Sequence, residues 1–269
     1  MPMKSIIGYD LIGDIAIVRF KEISLKEKIQ ESKKIIQENS NIKTVLEKTE
    51  KIKGKLRTYK TKYLYGKNTT ETIHKESNCL FKLDVEKCYF SPRLSNERIE
   101  VSNKIKQMKL NKKKNILVLF AGVAPYSIII AKNNPKSKIY SIEINRLASK
   151  YAEENVKLNK LNNVRIIQGD VKKLEQIIKK NKIPKKYDVI VMPRAQLKYT
   201  FLKEALRVSK KGTFIFYYDF CKEKEIEERT KNIEDEAKKQ VKKIKILQVK
   251  KAGEIAPYKF RIRIDFEVK

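Results

Sequence analysis

The segment YFSPRLSNER (Tyr89–Arg98) places a carboxylate, Glu97, directly beside an arginine, Arg98. A carboxylate next to a cation can act as a general base whose proton affinity the neighbour controls. The same residues also read as an ordinary helix start, with Ser95 as cap and Glu97 in the first turn. Three later segments end in residues suited to a nucleoside. FAGVAPY (Phe120–Tyr126) holds Gly122, which permits a tight turn and close approach to the backbone, and Pro125, a favoured first helical residue. IEIN (Ile142–Asn145) offers Glu143, able to accept from two ribose hydroxyls or to cap a helix. GDV (Gly169–Val171) offers Asp170, able to accept from an adenine amino group, or again to cap. MPR (Met192–Arg194) ends in Arg194, which suits a phosphate, a base edge or a plain surface position.

These residues need strand ends to hold them, and the patterning supplies the strands. Runs at Asn115–Phe120, Lys138–Ile142, Val164–Ile167, Tyr187–Met192 and Thr213–Tyr218 read as strands. Helical patterns alternate with them at Pro125–Lys132, Arg146–Asn159, Val171–Lys180, Lys198–Val208 (stopped by Gly212) and Lys224–Lys239. Strands alternating with helices predict an α/β fold with a parallel, doubly wound sheet. The closing pair, Ile244–Lys250 and Tyr258–Val268, predicts an antiparallel edge. Ligands of such sheets bind at the carboxyl ends of the strands. Gly122, Glu143 and Asp170 fall at three successive ends, in order. That order fits a class I S-adenosylmethionine site better than a dinucleotide site, because the glycine-rich pyrophosphate cradle is missing. Arg194 falls at the fourth end.

Ahead of this section, strands at Asp14–Phe20, Thr44–Glu47, Tyr63–Tyr65 and Cys79–Val85 surround a helix capped by Ser24. The expected organisation is a smaller N-terminal mixed α/β domain, 1–104, and a Rossmann-like catalytic domain, 105–269. The polar stretch Leu110–Asn115 leads into the second.

The chain has 269 residues, with 63 Lys and Arg against 32 Asp and Glu, a formal net charge of +31. Such an excess favours a polyanionic partner, bound through release of counterions. A Lys-rich compositional bias is the plain alternative, although it ordinarily raises acidic residues too. The charge is spread along the chain: between Lys26 and Lys67 there are 13 basic and 5 acidic residues. A folded surface is therefore expected to hold the anion. Tyr59, Tyr63 and Tyr65 alternate with Lys60, Lys62 and Lys67, as an RNA reader or a half-buried strand would. No apolar run reaches the roughly 18 residues of a membrane span. The start MPMKSIIGYD has no apolar core of a secretory signal. Cys79, Cys88, Cys221 and the single His74 make no metal or disulfide framework. The expectation is a cytoplasmic protein with no metal site.

Taken together, FSPRLSNER (Phe90–Arg98), FAGVAPYS (Phe120–Ser127), Tyr140–Asn145 with ENVKLNKL, Gly169–Val171 and FIFYYDF (Phe214–Phe220) resemble the archaeal and eukaryotic tRNA (guanine-N1)-methyltransferase family acting at guanosine 37. The resemblance covers nearly the whole chain, and the extra small N-terminal domain that some members carry is expected to be absent, since the first section already matches the middle domain. It implies a class I methyltransferase fold, S-adenosylmethionine as cofactor, and the anticodon loop of tRNA as partner of a monomer. It implies Glu97 as the base for guanine N1 and Arg57 as the cation beside guanine O6. Arg98 would contact the cofactor, as would Glu143 with Ile144 and Asp170 with Val171. The strand-end residues Phe120, Gly122, Pro125 and Pro193 are further candidate cofactor contacts, and Arg93 and Arg194 candidate substrate contacts. The chain departs from the family at Val118, where Asp is usual, and at Ala124, where Gly is usual. It departs again at Met192-Pro193-Arg194, where Asn-Leu-Pro is usual. Relatives methylate a wyosine precursor, 4-demethylwyosine, at the same position, or transfer the aminocarboxypropyl arm of the cofactor to it. The competing reading outside enzymes is an RNA-binding protein on a methyltransferase fold.

Overall fold

Ser24 opens the first helix with a full capping box. Its hydroxyl accepts from the Glu27 N–H, and the Glu27 carboxylate accepts from the Ser24 N–H. The computed structural model describes residues 6–50, 54, 56–108, 113–194, 196–240 and 242–269. They fall into two compact units, Met1–Ser95 and Asn96–Lys269. The first contains β1 (Ile6–Ile12), β2 (Ile15–Phe20), α1 (Leu25–Glu38), β3 (Thr44–Lys48) and β4 (Thr61–Gly66). The four strands make one sheet in the order β1-β2-β3-β4. Ala16, Val18, Ile35, Ile42, Val45 and Leu64 form its core beneath α1. A separate hairpin, β5 (Glu71–Glu76) with β6 (Cys79–Asp84), turns on Ser77 and Asn78, both at positive φ.

Two of these strands differ from the sequence reading. β1 is absent from that reading, because only Ile12 of its seven residues is buried and no apolar alternation marks it. β5 was not expected as a strand. Its inward residues are Thr72 and Glu76, so its buried face is polar.

The second unit opens with α2 (Ser95–Gln107). Val101 and Ile105 of α2 share a core with Ile116, Val118 and Ile130, so the helix stays whole and is part of the second unit. The boundary expected at 104/105 would cut it. Lys114, almost fully buried, donates to the carbonyls of Ile105 and Met108 at 2.7 and 3.1 Å and so closes the end of the helix. Residues 110–112 of the expected polar linker lie outside the described residues.

Next come β7 (Asn115–Leu119), α3 (Pro125–Asn133), β8 (Lys138–Glu143), α4 (Arg146–Leu158), β9 (Val164–Gln168), α5 (Leu174–Asn181), β10 (Tyr187–Met192) and α6 (Leu202–Arg207). The unit closes with β11 (Ser209–Lys222), α7 (Ile226–Lys239), β12 (Ile244–Ala256) and β13 (Lys259–Val268). The sheet order is β12-β13-β11-β10-β7-β8-β9. β9, β8, β7, β10 and β11 are mutually parallel, and β13 and β12 are added antiparallel. This is the doubly wound sheet with an antiparallel edge that the sequence predicts. Alternate residues of the central strands feed two cores: Leu117, Leu119, Ile190 and Met192 on one face, Ile116, Val118, Val189 and Val191 on the other. Gly212 does not end a helix as expected. The helix is already over at Arg207, and Gly212, at φ 81°, lies inside β11 near a register shift against β10. Among the described residues no helix is long and apolar enough to cross a membrane.

Candidate active site

The chain reverses direction at the end of β7 through three left-handed positions in five residues: Phe120 (φ 59°), Gly122 (57°) and Ala124 (67°). Only glycine takes that conformation without steric cost. The loop is held by hydrogen bonds from its neighbours. Ala121 N–H donates to the Ile142 carbonyl at 3.0 Å, and Asn155 Nδ2 donates to the Val123 carbonyl at 3.1 Å. The Phe120 ring meets Phe201 edge-on at 5.0 Å.

Glu143 is the knot of this region. Its Oε2 accepts from Gly122 N–H and its Oε1 from Asn145 N–H, both at 2.7 Å, while its carbonyl accepts from Gly169 N–H at 2.8 Å. One residue thus ties together the ends of β7, β8 and β9. It is 8% exposed, and burial pushes its carboxyl up against the opposing pull of the Asn145, Gly122 and Ile144 N–H groups. The cap of α4 is not Glu143 but Asn145, which accepts from Leu147 and Ala148 N–H. Glu143 is therefore spared from capping and stays at the strand end. Asn145 escaped the sequence reading, although an Asn just before a helix is a plain cap signal. Asp170 does cap: Oδ1 accepts from Lys172 N–H at 2.9 Å. Its Oδ2 has no partner among the described residues and remains available to a ligand. Ile144, Pro125 and Pro193 are half-buried around these ends, and Val171 is buried.

Arg194 lies where the sequence placed it, after β10, but not as a substrate contact. It is 3% exposed. Its Nη1 pairs with Asp219 at 2.6 Å, and its Nη2 donates to the carbonyls of Leu197 and Tyr199. The guanidinium is turned inward and fastens the loop to β11. The expected substrate contact is corrected on that ground.

Glu97 lies in the first turn of α2, 7% exposed. Its Oε1 accepts from the Tyr218 hydroxyl at 2.8 Å and from Arg263 Nη1, and Lys250 Nζ is 3.4 Å from Oε2. The Tyr126 hydroxyl donates to that of Tyr218 at 3.0 Å. Burial pushes the Tyr126 phenol up to about 12 and the Tyr218 phenol well above its ordinary value, so both remain protonated donors. Arg98, beside Glu97, is 2% exposed. Tyr218, Lys250 and Arg263 were not foreseen, since no local pattern connects residues more than one hundred positions from Glu97.

The remaining candidates belong to the first unit. Arg57, at φ 57°, lays its guanidinium over the Tyr89 ring at 4.4 Å, and its buried Nε has no hydrogen-bond partner among the described residues. Lys55 of the same segment lies outside the described residues. Arg93 is exposed and pairs with Asp10 at 2.8 Å. Among the described residues no three His, Cys, Asp or Glu side chains cluster as metal ligands.

The β7 loop, the buried carboxylate of Glu143 and the Asp170 side chain thus stand together at the ends of adjacent strands, where ligands of such sheets bind.

Residues 72–247 match the family described as TRM5/TYW2 methyltransferase domain, and residues 4–69 match the TYW2 N-terminal domain. The chain is 37% identical to the tRNA (guanine(37)-N(1))/4-demethylwyosine(37)-methyltransferase Taw22 of Nanoarchaeum equitans, over 96% of this chain and 98% of that protein. It is 35% identical to the tRNA(Phe) (4-demethylwyosine(37)-C(7)) aminocarboxypropyltransferase of Methanocaldococcus jannaschii, over 96% and 97% respectively. Among solved structures, Trm5b from Pyrococcus abyssi superposes with a TM-score of 0.81 at 36% identity, over 98% of this chain and 75% of that one. A complex of aTrm5 with tRNALeu gives 0.81 at 28%, over 98% and 72%. M. jannaschii TYW2 in complex with AdoMet gives 0.69 at 29%, over 97% and 100%.

Proposed function

The chain belongs to the TRM5/TYW2 methyltransferase family, and from that premise we propose that it methylates position 37 of tRNA. The acceptor is N1 of guanosine 37, 4-demethylwyosine at the same position, or both. The observation that carries this reading is the match to the Nanoarchaeum enzyme, 37% identical along 98% of that protein. The fit of the strand-end site to S-adenosylmethionine supports it.

When bound, S-adenosylmethionine supplies an electrophilic methyl group on a sulfonium. Glu143 and Asp170 select its nucleoside part, by ribose hydroxyls and adenine amino group respectively. Guanine N1 carries a proton at neutral pH, so its lone pair must be freed before it can bond to the methyl carbon. Glu97 takes that proton. The freed N1 pair would then be directed at the methyl carbon that the bound cofactor supplies. Charge that builds on guanine O6 is met by Arg57, whose stacking on Tyr89 fixes the plane of its donors. The spread of Lys supplies tRNA affinity. In this reading the enzyme works as a cytoplasmic monomer.

A second reading, transfer of the aminocarboxypropyl arm, is favoured by the match to the M. jannaschii transferase and by Met192-Pro193-Arg194 in place of Asn-Leu-Pro. Cofactor labelled in the methyl group or in the arm, incubated separately with tRNA bearing guanosine or 4-demethylwyosine, decides between them. Methyl label in the nucleoside at position 37 is the expected result, and label from the arm alone would replace it with the second reading. Glu97→Gln should lower the transfer rate by about 10²–10⁴ while leaving tRNA affinity nearly intact. Collapse of tRNA binding instead would show Glu97 to be structural.

A further inference from the structure

The contacts of the Glu97 carboxylate reach beyond its own helix. Its restraints come from the far edge of the sheet: Tyr218 on β11, Lys250 on β12 and Arg263 on β13. Arg263 is fully buried and has no freedom of its own. Its Nε donates to Asp265 Oδ1 at 2.7 Å, and its Nη2 donates to Asp265 Oδ2 at 3.1 Å and to Glu100 Oε1 at 2.8 Å. Lys104 pairs with Asp265 at 2.7 Å and Lys250 pairs with Glu100. Three carboxylates thus face three cations.

Burying such a cluster carries a desolvation penalty, and apolar residues of similar volume hold a fold at least as well. Stability alone therefore gives no reason for it. The asymmetry at Glu97 does. Oε1 is saturated by two donors, whereas among the described residues Oε2 has only the 3.4 Å contact to Lys250, whose side chain is about one-third exposed. A base needs one oxygen with a free lone pair held in a fixed direction.

We infer that Arg263, assisted by Tyr218, is a positioning residue for the methyl-transfer reaction: it locks Oε1 of Glu97 so that Oε2 alone receives the N1 proton. Lys250 is the cation that gives way as the base enters. This rests on the reading of Glu97 as the general base, and the test keeps the two apart.

Arg263→Lys keeps the charge and removes the fork. Tyr218→Phe removes one oxygen and no charge, and serves the same test should Arg263→Lys fail to fold. Each is made in the full chain, alone and together with Glu97→Gln. Single-turnover transfer to tRNA is then measured at saturating cofactor. The expected rate loss is about 10- to 100-fold for Arg263→Lys and about 10-fold for Tyr218→Phe. The KM for tRNA and the Kd for cofactor should stay within about 3-fold. In the Glu97→Gln background each change should cost less than about 3-fold, because the residue acts through the carboxylate. Equal losses in both backgrounds would show a role in the fold alone and overturn the inference. So would a Glu97→Gln loss that neither Arg263→Lys nor Tyr218→Phe shares. A Glu97→Gln enzyme that transfers at the wild-type rate sinks the base reading, whatever Arg263→Lys does.

Discussion

Replacing Arg194 by Met tests whether this arginine serves the fold or the substrate. The structure makes it a fastener. Its guanidinium holds the Asp219 carboxylate at 2.6 Å and the carbonyls of Leu197 and Tyr199. With the guanidinium gone, Asp219, 8% exposed, keeps only the Phe220 N–H at 2.8 Å among the described residues. An uncompensated buried carboxylate costs about 3–5 kcal/mol. At about 2–4 °C per kcal/mol for a unit of this size, the melting temperature should fall by roughly 10 °C. Adding Asp219→Asn removes the stranded charge and should restore more than half of that loss. The assay is thermal unfolding of Arg194→Met, Asp219→Asn and the double variant, with tRNA binding measured across a salt series. A fastener leaves the salt slope unchanged. A phosphate contact would instead reduce the slope by about one and leave the melting temperature alone. That second pattern would refute the assignment.

Other expectations rest on the same contacts. Arg57→Ala should lower the transfer rate by about 10²-fold, while Tyr89→Phe, which keeps the ring under the guanidinium, should remain close to wild type; equal losses in both would mean the hydroxyl matters more than the stack. Burial raises the Glu143 carboxyl above its ordinary 4.5, so the folded state holds that proton more tightly than the unfolded one. Its contribution to stability is complete below that ordinary value and is lost as pH rises through the raised one. Glu143→Gln should therefore gain in melting temperature relative to wild type as pH rises above 4.5 and should lose cofactor affinity by about 10-fold or more; a difference in melting temperature that stays flat with pH contradicts the assignment. Affinity for tRNA should fall steeply with added salt and cofactor affinity should not; parallel responses of the two would return the +31 charge to mere compositional bias.

The strand ends were legible because each is a short buried run closed by a residue with a chemical handle: Gly122, Glu143 and Asp170 needed no knowledge of the fold to be ordered. β10 was legible to the residue, as an unbroken run buried on both faces. β1 was not, since an edge strand with one buried residue carries no pattern to read. Nor was β12 read to its full length: it runs past Lys250 to Ala256, through register irregularities on either side of Glu254. Glu97 was visible as a carboxylate beside an arginine, but neither its burial nor its partners were. Arg263 lies in an alternating RIRID run where nothing distinguishes an inward arginine from an outward one. Arg194 failed as a substrate contact for a related reason: sequence gives a side chain's position but not the direction it faces, and Asp219 turned this one inward.

The separation of Glu97 from its partners also has a meaning in time. The cofactor loop joins β7, β8 and β9 through hydrogen bonds between residues 121 and 169, all close in sequence. The carboxylate of Glu97 must wait for Tyr218, Lys250 and Arg263, the last of them 166 positions away. Contacts of high sequence separation form late, because a large loop must close first. In refolding from denaturant the loop contacts are therefore expected to close before those of Glu97. The Glu97 contacts await β13, the strand inserted between β11 and β12.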